Sequence, residues 1–392
     1  MAVAGDAIVV SFNYRLGVFG FMGNPAFARD HDGGYGLEDQ RAALRWIQVN
    51  IASFGGDPGN VTIAGESAGA ASVCMHLVAP EETRGLFAKA IVQSAFCAQH
   101  LRTAEEGDAI GRQVSDMVGC PQNARTLACL RATPVKVLLE AAAQVSGGDV
   151  MTYAPVAGTE TVPEQPLAAF KAGRFVQVPL INGGNRDELR LYVAYDIQAG
   201  KPVTPENYTA KLGRVYGAKA DEVGREYPVQ AYSSAGAALG TAMGDFTPGN
   251  GLNYCGYLRT AELVRNRAPV YQYEFADRAA PPPFAGQPPI EMGAVHSAEL
   301  PYQFPGFSNT DEVDGSPLAK PAQELAATMM QFWTSFAADG RPSAPSVPAW
   351  PTFDGPASVM RLEPGAIRLF DAASEHHCGF WRRLYPGLLG AG

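Results

Sequence analysis

Apolar positions along this chain follow two rhythms. Short, nearly continuous apolar runs stand at residues 7–12, 61–64, 89–93, 178–182 and 270–275. Runs of this length, bounded by turn residues, predict strands buried on both faces of a parallel sheet. Between them the spacing becomes helical. Leu44, Ile47, Ile51 and Phe54 recur at intervals of three and four, which predicts a helix over 40–54. Gly55-Gly56-Asp57-Pro58-Gly59 ends it. Further helices are expected at 70–78, 318–337 and 380–384, while 20–35 is glycine-rich loop and 279–289 a proline-rich loop. Residues 97–177 and 190–266 read as two largely helical excursions, and the chain beyond Val347 is rich in turns. Strands alternating with helices predict an α/β architecture, a mostly parallel central sheet flanked by helices. The excursions are expected to cover the carboxyl edge of that sheet, where such folds place their sites. No linker or internal repeat divides the chain, so residues 1–392 read as a single domain.

Composition narrows the class only slightly. With 392 residues, 46% hydrophobic and 18% charged, the chain can bury a large core. Its formal net charge of −9 argues against a nucleic acid or an anionic membrane as partner. No apolar run is long enough to span a bilayer. No basic segment followed by an apolar one marks a signal peptide at the start.

Chemistry enters at Gly65-Glu66-Ser67-Ala68-Gly69, which reads G-x-S-x-G. The motif alone is weak. Here a short apolar strand precedes it and small apolar helix-forming residues follow, which is the strand-turn-helix context of a nucleophile elbow. Glycines at 65 and 69 are expected to let strand and helix approach, leaving Ser67 exposed at a helix N-terminus. A serine hydroxyl needs an adjacent base. Of the six histidines, His31, His76, His100, His296, His376 and His377, only His296 stands in a loop downstream of a late strand. Glu188 follows an earlier strand and would orient that base, with Asp187 as the rival acid. Ser67, Glu188, His296 is the chain order of the α/β-hydrolase triad. His376-His377 beside Cys378 lacks a second ligand pair and reads as a solvated turn; no metal site is expected.

Taken together the chain resembles the type-B carboxylesterase and cholinesterase family. The likeness runs nearly end to end. It is carried by Asn13-Tyr14-Arg15-Leu16-Gly17, Leu37-Glu38-Asp39-Gln40, Phe54-Gly55-Gly56-Asp57-Pro58, the serine motif, Gln93-Ser94, Asp187-Glu188, His296, Phe332-Trp333, Trp350-Pro351 and Phe380-Trp381. The resemblance implies an α/β-hydrolase fold with Ser67 as nucleophile, His296 as base and Glu188 as acid. It implies a buried Arg15–Asp39 ion pair, Glu66 lining the site, and Ser94 hydrogen-bonding near the triad. It also implies disulfides Cys120–Cys129 and Cys255–Cys378, with Cys74 and Cys97 free; such bridges would place the protein outside the cytosol. Two positions depart from the family: Ala95 follows Gln93-Ser94, and Leu189 follows Asp187-Glu188.

The family pattern also leads one to expect a His-Gly-Gly-Gly-type loop upstream of Ala7, which this sequence does not contain. The expectation is therefore a chain incomplete at its N-terminus, lacking the first strands and the oxyanion loop, with Ala68 N–H as the remaining oxyanion donor. His31-Asp32-Gly33-Gly34 follows the wrong strand and reads as turn. The implied activity is hydrolysis of a small-molecule carboxylic ester through an acyl-enzyme, without cofactor, and weak or absent in this chain: one lost donor costs on the order of a hundredfold or more in rate, and loss of the whole loop is expected to leave little activity. The alternatives are a non-catalytic cholinesterase-like binding module and an amidase or lipase use of the same serine.

Overall fold

A computed structural model of the chain describes residues 1–27, 33–307 and 318–390. Its centre is a six-stranded sheet in sequence order: β1 Thr62–Glu66, β2 Lys89–Gln93, β3 Leu180–Asn185, β4 Val270–Phe275, β5 Val359–Leu362 and β6 Arg368–Phe370. β1 to β5 pair in parallel and β6 closes the far edge antiparallel. Every residue of β2, β3, β4 and β5 is buried, as unbroken apolar runs in a covered parallel sheet require. Alternate side chains sort to opposite faces. Ala90, Val92, Leu180 and Val270 join one core, and Ile91, Ile181, Tyr271 and Tyr273 the other.

Helices cover both faces. Tyr35–Asn50 (α1) buries Leu37, Leu44 and Ile47 and runs into a 3-10 turn, Ile51–Phe54. Ala68–Leu77 (α2) follows the serine motif directly. Ala104–Met117 (α3) opens the first excursion on a capping box, with Thr103 and Glu106 each bonding the other's backbone N–H. Arg190–Gln198 (α4) follows the Asp187-Glu188 turn, and Tyr254–Val264 (α5) packs beside β3 and β4 under an Asn253 cap. Lys320–Asp339 (α6) lays Met329, Phe332, Trp333 and Phe336 on the second core. Cys378–Leu384 (α7) buries Trp381.

The sequence reading needs correcting in four places. Residues 7–12 form no strand. They lie outside the sheet and are exposed throughout, Ile8 at 45% and Val9 at 55%, because no strand among the described residues stands beside them to complete a ladder. β1 accordingly is an edge of the sheet, and Ala64 is exposed. Strands β5 and β6 were hidden in the turn-rich C-terminal part, being only four and three residues long. The Arg15–Asp39 pair forms, with Nε and Nη2 reaching the two carboxylate oxygens at 2.8 and 2.7 Å, but it is exposed rather than buried, the side chains open to 51% and 27%. The same uncovered stretch explains this. Finally, Cys74 and Cys97 are not free. Their Cα atoms are 5.0 Å apart and their sulfurs are at disulfide distance. Both side chains are fully buried, on α2 and just after β2, so packing brings together two thiols that are 23 residues apart in sequence. Cys120–Cys129 and Cys255–Cys378 are likewise at disulfide distance.

The Cys74–Cys97 pair ties α2 to the end of β2. Replacing both residues by alanine is expected to cost about 3 kcal/mol by releasing a loop of this length in the unfolded chain. A urea unfolding midpoint that does not move would show the pair unbridged in solution.

Candidate active site

β1 ends at Glu66, and the chain turns sharply into α2 through Ser67, whose backbone sits at φ 55°, ψ −120°. A non-glycine residue there is strained. The turn is tight enough that a Cβ at Gly65 would lie 2.3 Å from the Gly69 carbonyl carbon, so only glycine fits at 65. At Gly69 an added Cβ would meet nothing, so the second glycine is not sterically required. The expectation of two obligatory glycines thus holds for one.

The other partners also stand at the carboxyl edge of the sheet. Glu188 lies in the turn after β3, and His296 in the long connection after β4. His296 Nε2 is 2.8 Å from Ser67 Oγ, and its Nδ1 is 2.7 Å from Glu188 Oε2. A carboxylate only accepts, so Nδ1 carries a proton, and in the neutral imidazole Nε2 accepts from the serine hydroxyl. Asp187 does not compete. Its Oδ2 accepts the Ala294 N–H at 3.0 Å, its Oδ1 lies 3.2 Å from Arg190 Nη2, and its own N–H donates to the Ala294 carbonyl. His296 N–H in turn donates to the Glu188 carbonyl at 3.3 Å. The acid turn and the histidine loop are therefore laced together by backbone and by Asp187.

Glu66 faces the same histidine. Its Oε1 accepts from Ser297 Oγ at 2.9 Å and lies 3.3 Å from His296 Nε2. Burial raises the pKa of Glu66. Burial alone would lower that of His296, but the hydrogen bond and charge of Glu188, with the charges of Glu66 and Glu299, outweigh it and push the imidazole up to about 9. Ser94, expected to bond near the triad, does not. Its hydroxyl is buried and finds no partner among the described residues, while its N–H donates to the Gly183 carbonyl at 2.7 Å. Ala68 is the first residue of α2, so its N–H lacks an intrahelical acceptor, as first-turn donors do.

Several groups at the site carry no motif. Glu299, one turn beyond His296, is fully buried, and its oxygens accept from Gln93 Nε2 at 3.2 Å and Asn185 Nδ2 at 2.6 Å. Asn185 Nδ2 also reaches the Val295 carbonyl at 2.7 Å, and Trp333 Nε1 donates to Gln93 Oε1 at 2.9 Å. This network underlies the histidine loop from β2, β3 and α6. Burial, then the charges of Glu66 and Glu188, push the Glu299 carboxyl up to about 8. A carboxylate inside the apolar stretch Ala298-Glu299-Leu300 was the available sequence signal. Tyr192 on α4 sets its ring 5.8 Å from that of His296, and Tyr195 stacks on Phe284 of the proline-rich loop at 5.2 Å.

The C-terminal histidines lie elsewhere. His376 is no solvated turn residue: it is buried between Asp245 and Glu274, while His377 reaches Glu226 at 2.6 Å. No group of potential metal ligands clusters among the described residues. His31 and Asp32 of the His31-Asp32-Gly33-Gly34 stretch lie outside the described residues; Gly33 is in a turn.

The profile of the carboxylesterase family matches residues 1–381. The chain is 31% identical over 366 residues to fumonisin B1 esterase of Sphingopyxis macrogoltabida, an overlap covering 90% of this chain and 63% of that protein. It is 31% identical over 359 residues to para-nitrobenzyl esterase of Bacillus subtilis (strain 168), covering 90% and 68%. Against acylcarnitine hydrolase of Rattus norvegicus it is 31% identical over 407 residues, covering 98% and 68%. The chain thus spans 63% to 68% of the length of these curated relatives.

Proposed function

Since the chain belongs to the carboxylesterase family, we propose that it hydrolyses small-molecule carboxylic esters through an acyl-enzyme formed on Ser67. The observation that carries this reading is the continuous hydrogen-bond chain from Ser67 Oγ through His296 to Glu188. Ser67 Oγ attacks the ester carbonyl carbon while its proton passes to His296 Nε2. Glu188 holds Nδ1–H in place and balances the imidazolium that forms. Collapse of the tetrahedral intermediate breaks the bond to the alcohol oxygen, which takes the proton from Nε2. Water, deprotonated by His296, then attacks the acyl carbon; the bond from that carbon to Ser67 Oγ breaks, the acid leaves, and Oγ takes the proton back from Nε2.

Ala68 N–H is the oxyanion donor identified in this chain, and it lies at the positive end of α2. The names of the three relatives support an ester as the bond cleaved, and the aromatic side chains of Tyr192, Tyr195 and Phe284 offer apolar surface beside the histidine. Three cysteine pairs at disulfide distance, with no cysteine left over among the described residues, suit an oxidising compartment, and we infer a secreted or extracytoplasmic protein. No helix among the described residues is long and apolar enough to cross a membrane.

The test is covalent labelling with a fluorophosphonate, which reacts with activated serines, followed by peptide mapping. The expected result is a single adduct on Ser67, forming faster from pH 6 to pH 9 as His296 gives up its proton. Absence of an adduct on folded protein would overturn the hydrolytic reading in favour of a binding role.

A further inference from the structure

Glu188 is fully buried, yet its carboxylate is not served by His296 alone. Oε2 faces the imidazole, while Oε1 accepts the Asn185 N–H at 2.8 Å and the hydroxyl of Tyr257 at 3.0 Å. Tyr257 comes from α5, 69 residues further along the chain, and nothing in the serine, acid or histidine motifs announces it. The contact is built into the sheet. A Cβ at Gly184 would lie 2.3 Å from the Tyr257 ring and 2.6 Å from Glu188 Oε1, so glycine at that position of β3 is what lets phenol and carboxylate meet. The Tyr257 carbonyl is held from the same strand system by Asn182 Nδ2 at 2.9 Å, and Tyr254 packs edge-on against the ring at 5.7 Å. The phenol is therefore fixed from three sides, with its one proton aimed at Oε1.

We propose that Tyr257 is a positioning residue of the Ser67–His296–Glu188 site, its hydroxyl holding the Glu188 carboxylate turned with Oε2 toward His296 Nδ1 and drawing part of its charge onto Oε1. This rests on the hydrolytic reading of that triad, although its structural content does not. A buried carboxylate oxygen without donors turns toward other partners. Two donors on Oε1 oppose that and leave Oε2 for the imidazole. They also spread the negative charge over both oxygens, which tempers how strongly the carboxylate holds a proton on His296. Burial and the Glu188 charge both raise the pKa of Tyr257, so it remains a donor at every working pH. The other titratable groups whose charges bear on Glu188 or on its partner are His296, Glu66 of β1, Glu299, Tyr192 of α4 and Tyr273 of β4. Tyr257 is the tyrosine among them whose hydroxyl bonds the acid.

The test reads His296 directly. Histidine-selective NMR titration of the full chain is compared for wild type, Tyr257→Phe, and a variant carrying 3,5-difluorotyrosine at 257. Tyr257→Phe keeps the ring and removes only the donor. Losing that donor concentrates charge on Oε2, so the His296 midpoint is expected to move up by about half a unit or more. The fluorinated phenol, a stronger donor of the same shape, is expected to move it down, which a packing role would not do. It also keeps the fold if the phenylalanine variant does not. Equal midpoints in all three, within about 0.2 unit, would overturn the proposal. In parallel, the acid limb of p-nitrophenyl ester hydrolysis is expected to follow the NMR midpoints. A chain that shows the NMR shifts but neither hydrolyses esters nor takes a fluorophosphonate would sink the hydrolytic reading while leaving the Tyr257 contact in place.

Discussion

Replacing Ser67 by alanine is expected to lower p-nitrophenyl ester hydrolysis by roughly 10⁴–10⁶-fold in kcat while leaving the urea unfolding midpoint nearly unchanged. The two halves of this expectation have different origins. The rate falls because the covalent route disappears: Ser67 Oγ is the hydroxyl placed 2.8 Å from His296 Nε2. What survives is the weak catalysis that an oxyanion donor and substrate binding give to direct attack by water. Stability is preserved because alanine keeps a Cβ in the same strained backbone, φ 55°, so the turn between β1 and α2 stores the same strain as before. Ser67→Gly separates the effects. It removes the hydroxyl and also the strain, and is expected to gain about 1 kcal/mol of stability while remaining as inactive as the alanine variant. Initial rates and equilibrium unfolding on the three proteins decide it. Hydrolysis by Ser67→Ala within tenfold of wild type would mean that another group is the nucleophile.

How much of this could be read beforehand depends on what each feature rests on. The sheet was legible because buried parallel strands write unbroken apolar runs, and β2 and β4 fall where the runs at 89–93 and 270–275 stand. The same signal misled at residues 7–12. An apolar run reports what a segment would bury beside neighbours, and among the described residues no strand neighbours that segment. Ser67, Glu188 and His296 were readable because each follows a strand, and chain order assigns roles. The family resemblance already favours Glu188 over Asp187, and the coordinates add the physical reason: adjacent residues in a turn point in different directions, one to His296 and one to Arg190 and Ala294. Cys74–Cys97 and Tyr257 were not legible, since each acts through a contact between elements distant in sequence that no local spacing encodes, and Glu299 was marked only by its apolar neighbours. Ser94 shows the converse: the position matches the family text, yet its hydroxyl has no partner among the described residues.

The buried histidine far from the serine should dominate stability. His376 Nδ1 lies 2.6 Å from Asp245 Oδ1, its Nε2 bonds Glu274 Oε2, and its ring stacks on Tyr254 at 4.1 Å. Arg361 Nε bonds the other oxygen of Glu274 at 2.8 Å, and Tyr227 donates to the other oxygen of Asp245 at 2.7 Å while accepting from Trp381 Nε1. With both ring nitrogens facing carboxylates, His376 must carry two protons to donate to both. Burial alone would lower its pKa, but the charges of Asp245 and Glu274 and the hydrogen bonds to them overcome that and push it up to about 10. His376→Leu removes one cation from between two buried carboxylates. Breaking such a cluster by deleting one member is expected to cost about 3–5 kcal/mol, because the remaining charges stay buried and uncompensated. The pH dependence follows from the sign of the shift. The folded protein holds the proton until about pH 10, whereas the unfolded histidine releases it near 6.5. Above that lower value the folded state binds more protons than the unfolded one, so stability falls as pH rises. The contribution of His376 is therefore complete below about pH 6.5 and gone once pH has passed about 10. The difference in unfolding free energy between wild type and His376→Leu is expected to shrink steadily over that interval. Urea unfolding of both proteins at pH 6, 8 and 10 measures it. A difference that stays constant with pH would mean that His376 is held neutral, with packing against Tyr254 rather than charge tying the C-terminal helix α7 to the sheet.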